Sequence, residues 1–231
     1  MHAVLLDGSG LRAWRRSLVE GPGWIAGAHP YVGLAESGRS TAMLSGLVLA
    51  GGESTRMGRA KAALTLADGR TLLQRQVGVL RAAGATTVQV SIGSGSGFMV
   101  EGATPVADHV AHAGPLAGIA AGLRAAPAGL VLVLAVDMPA ITEVHLRQLL
   151  ERTRSARGVV PMLAGQCEPL AAIYPSALAA SAEAWLACGR RAVHTWAEDE
   201  AGKGNLLLWD TPPDWSDAFR NWNAPDDLPA R

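Results

Sequence analysis

The 231-residue chain has only two cysteines, no excess of either charge and no long hydrophobic run. Cys167 and Cys188 are too few for a disulfide scaffold and lack the spacing of a metal site, which favours a reducing compartment, the cytoplasm. Because 20 basic residues are balanced by 20 acidic ones, the composition argues against an electrostatic nucleic-acid binder. The longest uninterrupted apolar run, residues 130–136, is too short to span a bilayer. We therefore expect neither nucleic acid nor a membrane among its partners.

The first 42 residues differ from the rest, because they are rich in Gly and Ser and show no sustained periodicity. They also lack the order of a signal peptide. We expect a poorly ordered extension, or upstream sequence ahead of a start at Met43. The alternative is a small appendage with a strand at 3–6 and a helix near 11–19. Residues 43–231 are expected to form a single domain.

From residue 44 onward, strand and helix patterns alternate, which predicts an α/β fold with a mostly parallel central sheet between helical layers. The predicted strands are 44–50, 86–92, 104–107, 130–136, 159–162, 169–174 and 206–209, and the predicted helices are 72–83, 115–125, 143–154 and 176–187. Strands 159–162 and 169–174 are expected to form a hairpin around Gly165. Thr142 and Ser176 are predicted N-caps.

Residues 46–64, GLVLAGGESTRMGRAKAAL, are typical of a buried strand that leads into a phosphate-binding loop. Gly51 and Gly52 allow backbone N–H groups to approach an anion closely. Arg56 and Lys61 supply positive charge in the same loop. The segment matches neither the P-loop pattern nor the dinucleotide fingerprint. It therefore predicts nucleotide or phosphate binding without indicating which ligand.

Lysine is rare in this chain, which has eighteen arginines and only two lysines, Lys61 and Lys203. A lysine in a phosphate loop is useful as a compact, mobile point charge. Lys61 is therefore a candidate phosphate ligand. The alternative is a solvated lysine that is there by chance.

Two aspartates follow predicted strands, at the edge where open α/β sheets bind ligands. Asp137 follows the apolar run 130–136, where a carboxylate must be hydrogen-bonded, paired or bound to a cation. One carboxylate with substrate phosphates and water suits Mg²⁺, and a turn or N-cap aspartate is the alternative. Asp108 follows strand 104–107 and could bind a base or ribose, or simply mark a loop.

Two asparagines near the end of the chain, Asn221 and Asn223, flank Trp222. A short strand would send both amides to one face, where their oxygens could serve a cation beside Asp137. A turn before Pro225 explains them equally well.

Motifs for covalent catalysis are missing, because there is no Gly-x-Ser-x-Gly elbow and no recognisable cysteine nucleophile. Phosphoryl or nucleotidyl transfer instead needs positioning and charge neutralisation. A glycine loop with Arg56, Lys61 and Asp137 meets that requirement.

These segments together resemble the molybdenum cofactor guanylyltransferases, a branch of the NTP-transferase superfamily. The resemblance runs from about Leu44 to Leu228. It is carried by LAGG at 49–52 with R-M-G at 56–58 and Lys61, GPLAG at 114–118, DMP at 137–139, EPL at 168–170 with Tyr174, RR at 190–191, and FRNWNAPDDL at 219–228. The second glycine, LAGG rather than LAAG, favours the guanylyl branch over the cytidylyl branch.

The resemblance implies a three-layer, Rossmann-like nucleotidyltransferase fold and roles for matching residues. Leu49, Ala50, Gly51 and Gly52 would hold the guanine nucleotide through the backbone. Lys61 would bind its phosphates, Asp108 would contact its nucleoside, and Asp137 would bind a Mg²⁺ cofactor. To these we add Arg56 for the phosphates, Ser91 for the nucleoside and Asn223 for the cation. The chain departs from the family in having Ser91 in place of a frequent Asn, Ala224 in place of Thr, and Trp222 in place of a smaller apolar residue.

The implied reaction transfers GMP from GTP to the phosphate of molybdopterin and releases pyrophosphate. Both substrates would be partners of a cytoplasmic monomer, with transient contacts to proteins that deliver or accept the cofactor. A nucleotidyltransferase that uses CTP or a sugar phosphate is an alternative, as is a regulator that binds nucleotides without chemistry.

Overall fold

The computed structural model describes residues 43–51, 61–92, 101–108, 113–153 and 157–222. The expectations for residues 1–42 lie outside this described part.

The described residues form one eight-stranded sheet and five α-helices. The strands are β1 Met43–Leu49, β2 Thr87–Ser91, β3 Thr104–Val106, β4 Gly129–Ala135, β5 Gly158–Leu163, β6 Gln166–Cys167, β7 Ala171–Pro175 and β8 Leu206–Asp210. The helices are α1 Leu72–Ala82, α2 Pro115–Ala125, α3 Glu143–Arg152, α4 Ala179–Ala187 and α5 Val193–Gly202, and 3-10 turns lie at Lys61–Ala63, Ser176–Leu178 and Pro213–Trp215.

The sheet is mostly parallel, as predicted. Its strand order is β3-β2-β1-β4-β7-β5-β6, and β8 pairs with β5. Only β6 and β7 run against the direction of the other described strands. Because the chain builds β2 and β3 on one side of β1 and β4 on the other, the strand order reverses at β1. In such sheets the ligand crevice lies beyond the carboxyl ends of the strands at that reversal.

The last residue of β1 lies level with the ends of two neighbouring strands. Leu49 is in register with Ser91 at the end of β2 and with Ala135 at the end of β4. The loops that follow these three strands therefore leave the sheet at one edge.

Helices cover both faces of β1, which gives the predicted layers. On one face, a Cβ at Gly46 would lie 3.0 Å from Leu80 Cδ1 of α1. On the other face, a Cβ at Gly122 of α2 would lie only 2.3 Å from Leu47 Cδ2. Since neighbouring strand residues point to opposite faces, α1 and α2 pack on opposite sides of the sheet. Strand β4, which contains most of the apolar run 130–136, is buried between these layers, as expected of a central strand.

Helix α1 begins at a capping box and ends close to the predicted residue. Thr71 Oγ1 accepts a hydrogen bond from Gln74 N, and Gln74 Oε1 accepts one from Thr71 N. Four apolar residues at helical spacing are buried beneath it: Leu72, Leu73, Val77 and Leu80. Thr142 is confirmed as the N-cap of α3, where its backbone N–H donates to His145 Nδ1.

Two sequence predictions differ from the structure. Ser176 does not cap α4, because its Oγ accepts a 3.1 Å hydrogen bond from Gly129 N and a 3-10 turn precedes the helix. The turn at Ala164 and Gly165 joins β5 to the short strand β6, and the predicted strand 169–174 is found later, as β7. β7 pairs with β4 along its length and with β5 at Val159 and Ile173.

Helix α5 was not predicted. Its buried face carries Val193, Trp196 and Ala197, and Trp196 packs 5.2 Å from the ring of Tyr174. Both aromatic side chains are fully buried, so Trp196 belongs to the core. In the described part of the chain, no helix is long and apolar enough to cross a membrane.

Candidate active site

Backbone hydrogen bonds tie the strand ends together where the crevice begins. Ala50 N donates to Ser91 O at 3.0 Å, and Val136 N donates to Leu49 O at 3.1 Å. Gly51, the last described residue before the loop, is exposed. Leu49 O and Ala50 N are therefore engaged within the sheet, and the exposed backbone begins at Gly51. Binding of a nucleotide through the backbone of 49–52 stays a prediction.

Several predicted site residues fall in the loop after Gly51. Gly52 and Arg56 lie outside the described residues. The backbone of Lys61 opens the 3-10 turn Lys61–Ala63, and the described part does not include its side chain. Their roles stay predictions.

Ser91 and Asp108 meet at the opposite side of β1 from Asp137. Ser91 is the last residue of β2 and is in register with Val106 of β3. Asp108, two residues after Val106, therefore lies within reach of Ser91. Ser91 Oγ donates a 2.7 Å hydrogen bond to Asp108 Oδ1. Ser91 is 2% exposed, whereas Asp108 is partly exposed. Ser91 therefore orients the carboxylate, and a direct contact between its hydroxyl and a nucleotide stays a prediction.

Helix α2 packs tightly against this pair because residue 118 is glycine. A Cβ on Gly118 would lie 2.5 Å from Ser91 Oγ and 3.0 Å from Leu49 Cδ2. Real Cβ atoms do not approach so closely, so any side chain here would displace Ser91 or the helix. Part of the GPLAG motif thus has a packing function: it brings the first turns of α2 onto the strand end.

Asp137 lies in a tight turn directly after β4. The turn runs from Ala135 to Met138, and its own hydrogen bond, from Met138 N to Ala135 O, is long at 3.4 Å. Asp137 is the second central residue of this turn and is partly exposed. A carboxylate at that position, beside the mouth of a phosphate loop, has the chemistry of a Mg²⁺ ligand.

The tail of the chain reaches this turn through its backbone. Trp222 N donates a 2.8 Å hydrogen bond to Asp137 O. Asn221 and Trp222 do not form a strand, so the short-strand explanation does not hold for these two residues. Asn223 lies outside the described residues, but the residue before it is bonded to the backbone of Asp137.

An aromatic cluster fixes the path of the tail to Asp137. Trp215 packs 4.7 Å from the ring of His145 on α3, 5.4 Å from Trp209 on β8 and 5.8 Å from Phe219. Trp215 and Phe219 are both at most 5% exposed. The segment that leads to Trp222 is therefore held against α3 by burial of large apolar surface.

A buried amide that the sequence analysis missed lies behind the Asp137 turn. Gln76 of α1 is fully buried, and its Nε2 donates to Ala135 O at 3.1 Å and to Met138 O at 2.9 Å. Arg75 Nη1 donates to Gln76 Oε1 and to Ile141 O, each at 3.0 Å. The one sequence feature that could have indicated this role of Gln76 was a polar residue among the apolar positions of α1 that face the core.

The corner between β6 and β7 joins the end of β4. Leu170 O accepts a 2.8 Å hydrogen bond from Ala135 N, and Tyr174 Oη donates to Pro169 O at 2.8 Å. Burial raises the pKa of the Glu168 carboxyl and raises the pKa of the Cys167 thiol to about 11. Cys167 is therefore a neutral thiol at physiological pH and a poor nucleophile.

The residues present fit a cation that arrives with its substrate. Among the described residues, no group of three or more His, Cys, Asp or Glu side chains is arranged to hold a metal alone. Mg²⁺ commonly uses one or two carboxylates and takes its other oxygens from substrate phosphates and water. Asp137 meets that requirement.

The two candidate ends of the site are well separated. Asp108 follows β3 and Asp137 follows β4, and β2 and β1 lie between these strands. Two strand spacings of about 4.8 Å put Ser91, which binds Asp108, roughly 10 Å from the end of β4, where the Asp137 turn begins. An extended nucleotide has its base and its terminal phosphates at comparably distant ends, so one carboxylate can serve the nucleoside and the other the phosphates.

Several known proteins have sequences similar to that of this chain. A family model described as the MobA-like NTP transferase domain matches residues 46–201. A probable molybdenum cofactor guanylyltransferase from Opitutus terrae is 42% identical over 187 residues, which cover 80% of this chain and 92% of the relative. Another protein of that description, from Mycobacterium marinum, is 34% identical over 192 residues, which cover 81% of this chain and 92% of the relative.

A solved structure has a similar fold. The crystal structure of molybdopterin-guanine dinucleotide biosynthesis protein A from Archaeoglobus fulgidus has 24% sequence identity and a TM-score of 0.59, and the match covers 80% of this chain and 95% of that chain. From the family match and the two sequence relatives, the chain belongs to the family of MobA-like NTP transferases.

Proposed function

We propose that this protein transfers GMP from GTP to the terminal phosphate of molybdopterin. A phosphate oxygen of molybdopterin attacks the α-phosphorus of GTP, a new phosphoanhydride bond forms, and the bond between the α- and β-phosphates breaks to release pyrophosphate. The sequence relatives described as probable molybdenum cofactor guanylyltransferases support this reaction.

The common register of three strand ends is the structural observation that carries the proposal. Leu49, Ser91 and Ala135 lie side by side, so the phosphate loop, the Ser91–Asp108 pair and the Asp137 turn open at one edge. A nucleotide at this edge would have backbone donors between a nucleoside-binding carboxylate and a phosphate-side carboxylate.

Each residue has a role that suits its chemistry. The backbone of 49–52 would hold the nucleotide, and Asp108, oriented by Ser91, would accept hydrogen bonds from the nucleoside. Arg56 and Lys61 would neutralise the triphosphate. Asp137 and Asn223 would hold Mg²⁺. When bound, the cation supplies charge neutralisation to the phosphates, which is the largest requirement of this reaction class.

The proposal needs no covalent enzyme intermediate. Cys167, one of the two cysteines, is half-buried, and burial raises the pKa of its thiol to about 11. Direct transfer between the two substrates is therefore the simplest chemistry.

We further propose that residues 43–231 act as one domain of a cytoplasmic monomer, and that the first 42 residues are not part of this domain.

A nucleotide panel tests the choice of substrate. The full chain, purified and supplied with molybdopterin and Mg²⁺, is incubated separately with GTP, CTP, ATP and UTP, and the dinucleotide and pyrophosphate are measured. We expect turnover with GTP to exceed that with each other nucleotide at least tenfold. A preference for CTP would contradict the guanylyl assignment, and tight GTP binding without transfer would indicate a regulator.

A further inference from the structure

Gln76 breaks the apolar pattern of α1, and a fully buried amide must find hydrogen-bond partners. The partners of its NH₂ group are not in its own helix but more than fifty residues further along the chain, in the turn after β4. A side chain that only filled the core at this position could be leucine. The amide therefore has a specific task at the Asp137 turn.

The hydrogen bonds from Gln76 are shorter than those that the turn makes for itself. Met138 N reaches Ala135 O at 3.4 Å, and Ile141 N reaches Met138 O at 3.3 Å. Gln76 Nε2 reaches the same two carbonyl oxygens at 3.1 and 2.9 Å. Because hydrogen bonds weaken as they lengthen, the amide is the better anchor of this turn.

The anchored carbonyls belong to the first and last residues of the turn that contains Asp137. Holding both ends from one NH₂ group restricts the rotation of the two residues between them. Trp222 N holds the carbonyl of Asp137 itself. The backbone of Asp137 is thus fixed by α1 at the ends of the turn and by the tail at its centre.

Arg75 determines which way the Gln76 amide faces. Ala135 O and Met138 O can only accept hydrogen bonds, and the Arg75 guanidinium can only donate them. The Gln76 oxygen must therefore face Arg75 and its NH₂ group must face the turn, as observed. Arg75 also donates to Ile141 O, so it braces the residues after the turn.

We propose that Gln76, oriented by Arg75, is a positioning residue that sets the Asp137 carboxylate in place for the divalent cation and the triphosphate. Neither side chain needs to touch the substrate. The inference rests on the proposed function, since it takes Asp137 to be the cation ligand.

The test compares Gln76→Met, which keeps a similar shape without hydrogen bonds, with Gln74→Ala. Gln74 lies in the same helix and is exposed. Its replacement removes the capping box but leaves the hydrogen bonds from Gln76 to the turn after β4. Mn²⁺ is titrated into each full-length variant in the presence of GTP, without molybdopterin, and free Mn²⁺ is followed by electron paramagnetic resonance. Partners that orient a metal ligand typically change metal affinity by 10- to 100-fold.

We expect Gln76→Met to weaken Mn²⁺ binding about tenfold and Gln74→Ala to stay close to wild type. In turnover assays, excess Mg²⁺ should restore much of the rate of Gln76→Met, since the defect is in cation binding. A merely structural role would lower the rate equally at all Mg²⁺ concentrations. Unchanged Mn²⁺ affinity in folded Gln76→Met would overturn the inference.

Arg75→Met keeps the inference testable if Gln76→Met fails to fold. Arg75 lies at the edge of the core, so its replacement leaves the buried amide present but unrestrained. We expect Arg75→Met, like Gln76→Met, to bind Mn²⁺ more weakly than the wild type does. Wild-type Mn²⁺ affinity in Arg75→Met would overturn the inference. A wild-type protein that binds Mn²⁺ with GTP yet makes no dinucleotide would contradict the proposed function without contradicting the role of Gln76.

Discussion

The hydroxyl of Ser91 donates a 2.7 Å hydrogen bond to the carboxylate of Asp108, across the boundary between β2 and the loop after β3. The Ser91 side chain is almost completely buried, whereas the carboxylate that it holds is partly exposed. Recognition of the nucleoside at this end would then depend on Asp108 and on how firmly Ser91 holds it.

Ser91→Ala should weaken GTP binding about tenfold, because a hydrogen bond to a charged group typically contributes about 1.5–3 kcal/mol. The KM for GTP, or its Kd from calorimetry, measures the effect. The rate at saturating GTP should change little, since the proposed orientation of GTP puts its phosphates on the side of β1 away from Ser91. A fall in kcat with an unchanged KM would contradict this account of Ser91.

Gly118→Ala should push Ser91 away from Asp108. The new methyl group would lie 2.5 Å from Ser91 Oγ, and overpacking of this kind typically costs about 1–3 kcal/mol. We expect a lower midpoint of thermal unfolding together with a higher KM for GTP.

Gly78→Ala is the matched control for that substitution. Gly78 lies in helix α1, and a Cβ there would meet nothing within 4 Å. Alanine should stabilise this helix by about 0.5–1 kcal/mol, because glycine loses more conformational freedom on folding. If both variants lose stability equally, close packing at Gly118 is not the cause.

Much of the fold could be predicted from the sequence because its signals are local. The run 130–136 predicted a buried central strand, found as β4, since no solvated face interrupts its apolar residues. The helix 115–125 was predicted at its observed ends, because Pro115 is favoured in a first turn. Asp137 was predicted at a strand end for the same reason: the apolar run stops at a carboxylate.

The features that the sequence did not predict depend on distant partners. Helix α5 was missed because Glu198, Asp199 and Glu200 interrupt any simple apolar stripe, although Glu200 is buried. The Ser91–Asp108 contact depends on the register between β2 and β3, and the bonds from Gln76 depend on a turn about sixty residues away. The types of the residues do not indicate which distant segments of the chain will lie next to each other.

Glu200 should contribute stability through a buried hydrogen-bonded network. It is 1% exposed and accepts hydrogen bonds from Ser181, Lys203 and Asn205 at 2.6 to 2.8 Å. Burial alone would raise the pKa of Glu200, but these hydrogen bonds and the charge of Lys203 outweigh it, so its pKa lies below the usual value.

Glu200→Gln should therefore cost about 1–2 kcal/mol of unfolding free energy at pH 7. Because the folded pKa is lowered, this stability is present above the pKa of the unfolded chain and is lost as pH falls through the folded value. Urea unfolding of both proteins from pH 7 to below pH 4 should show their difference shrinking. A difference that is constant with pH would contradict an ionised Glu200.

Cys188 should react with iodoacetamide faster than Cys167. Cys188 is exposed, whereas burial raises the pKa of Cys167 to about 11, so few molecules carry the reactive thiolate at pH 8. Mass spectrometry of the alkylated peptides measures the two rates. Rapid modification of Cys167 in the folded protein, with loss of activity, would contradict both its burial and the absence of a cysteine nucleophile.

The role of Asp137 is tested by Asp137→Ala beside Asp210→Ala, a control at the exposed end of β8. Both full-length variants and the wild type are supplied with GTP, molybdopterin and Mg²⁺, and the guanine dinucleotide formed per minute is measured. We expect Asp137→Ala to lose roughly 10²–10³ in rate, as removal of one well-placed electrostatic group typically does, while Asp210→Ala keeps the wild-type rate. Wild-type turnover by folded Asp137→Ala would contradict the account.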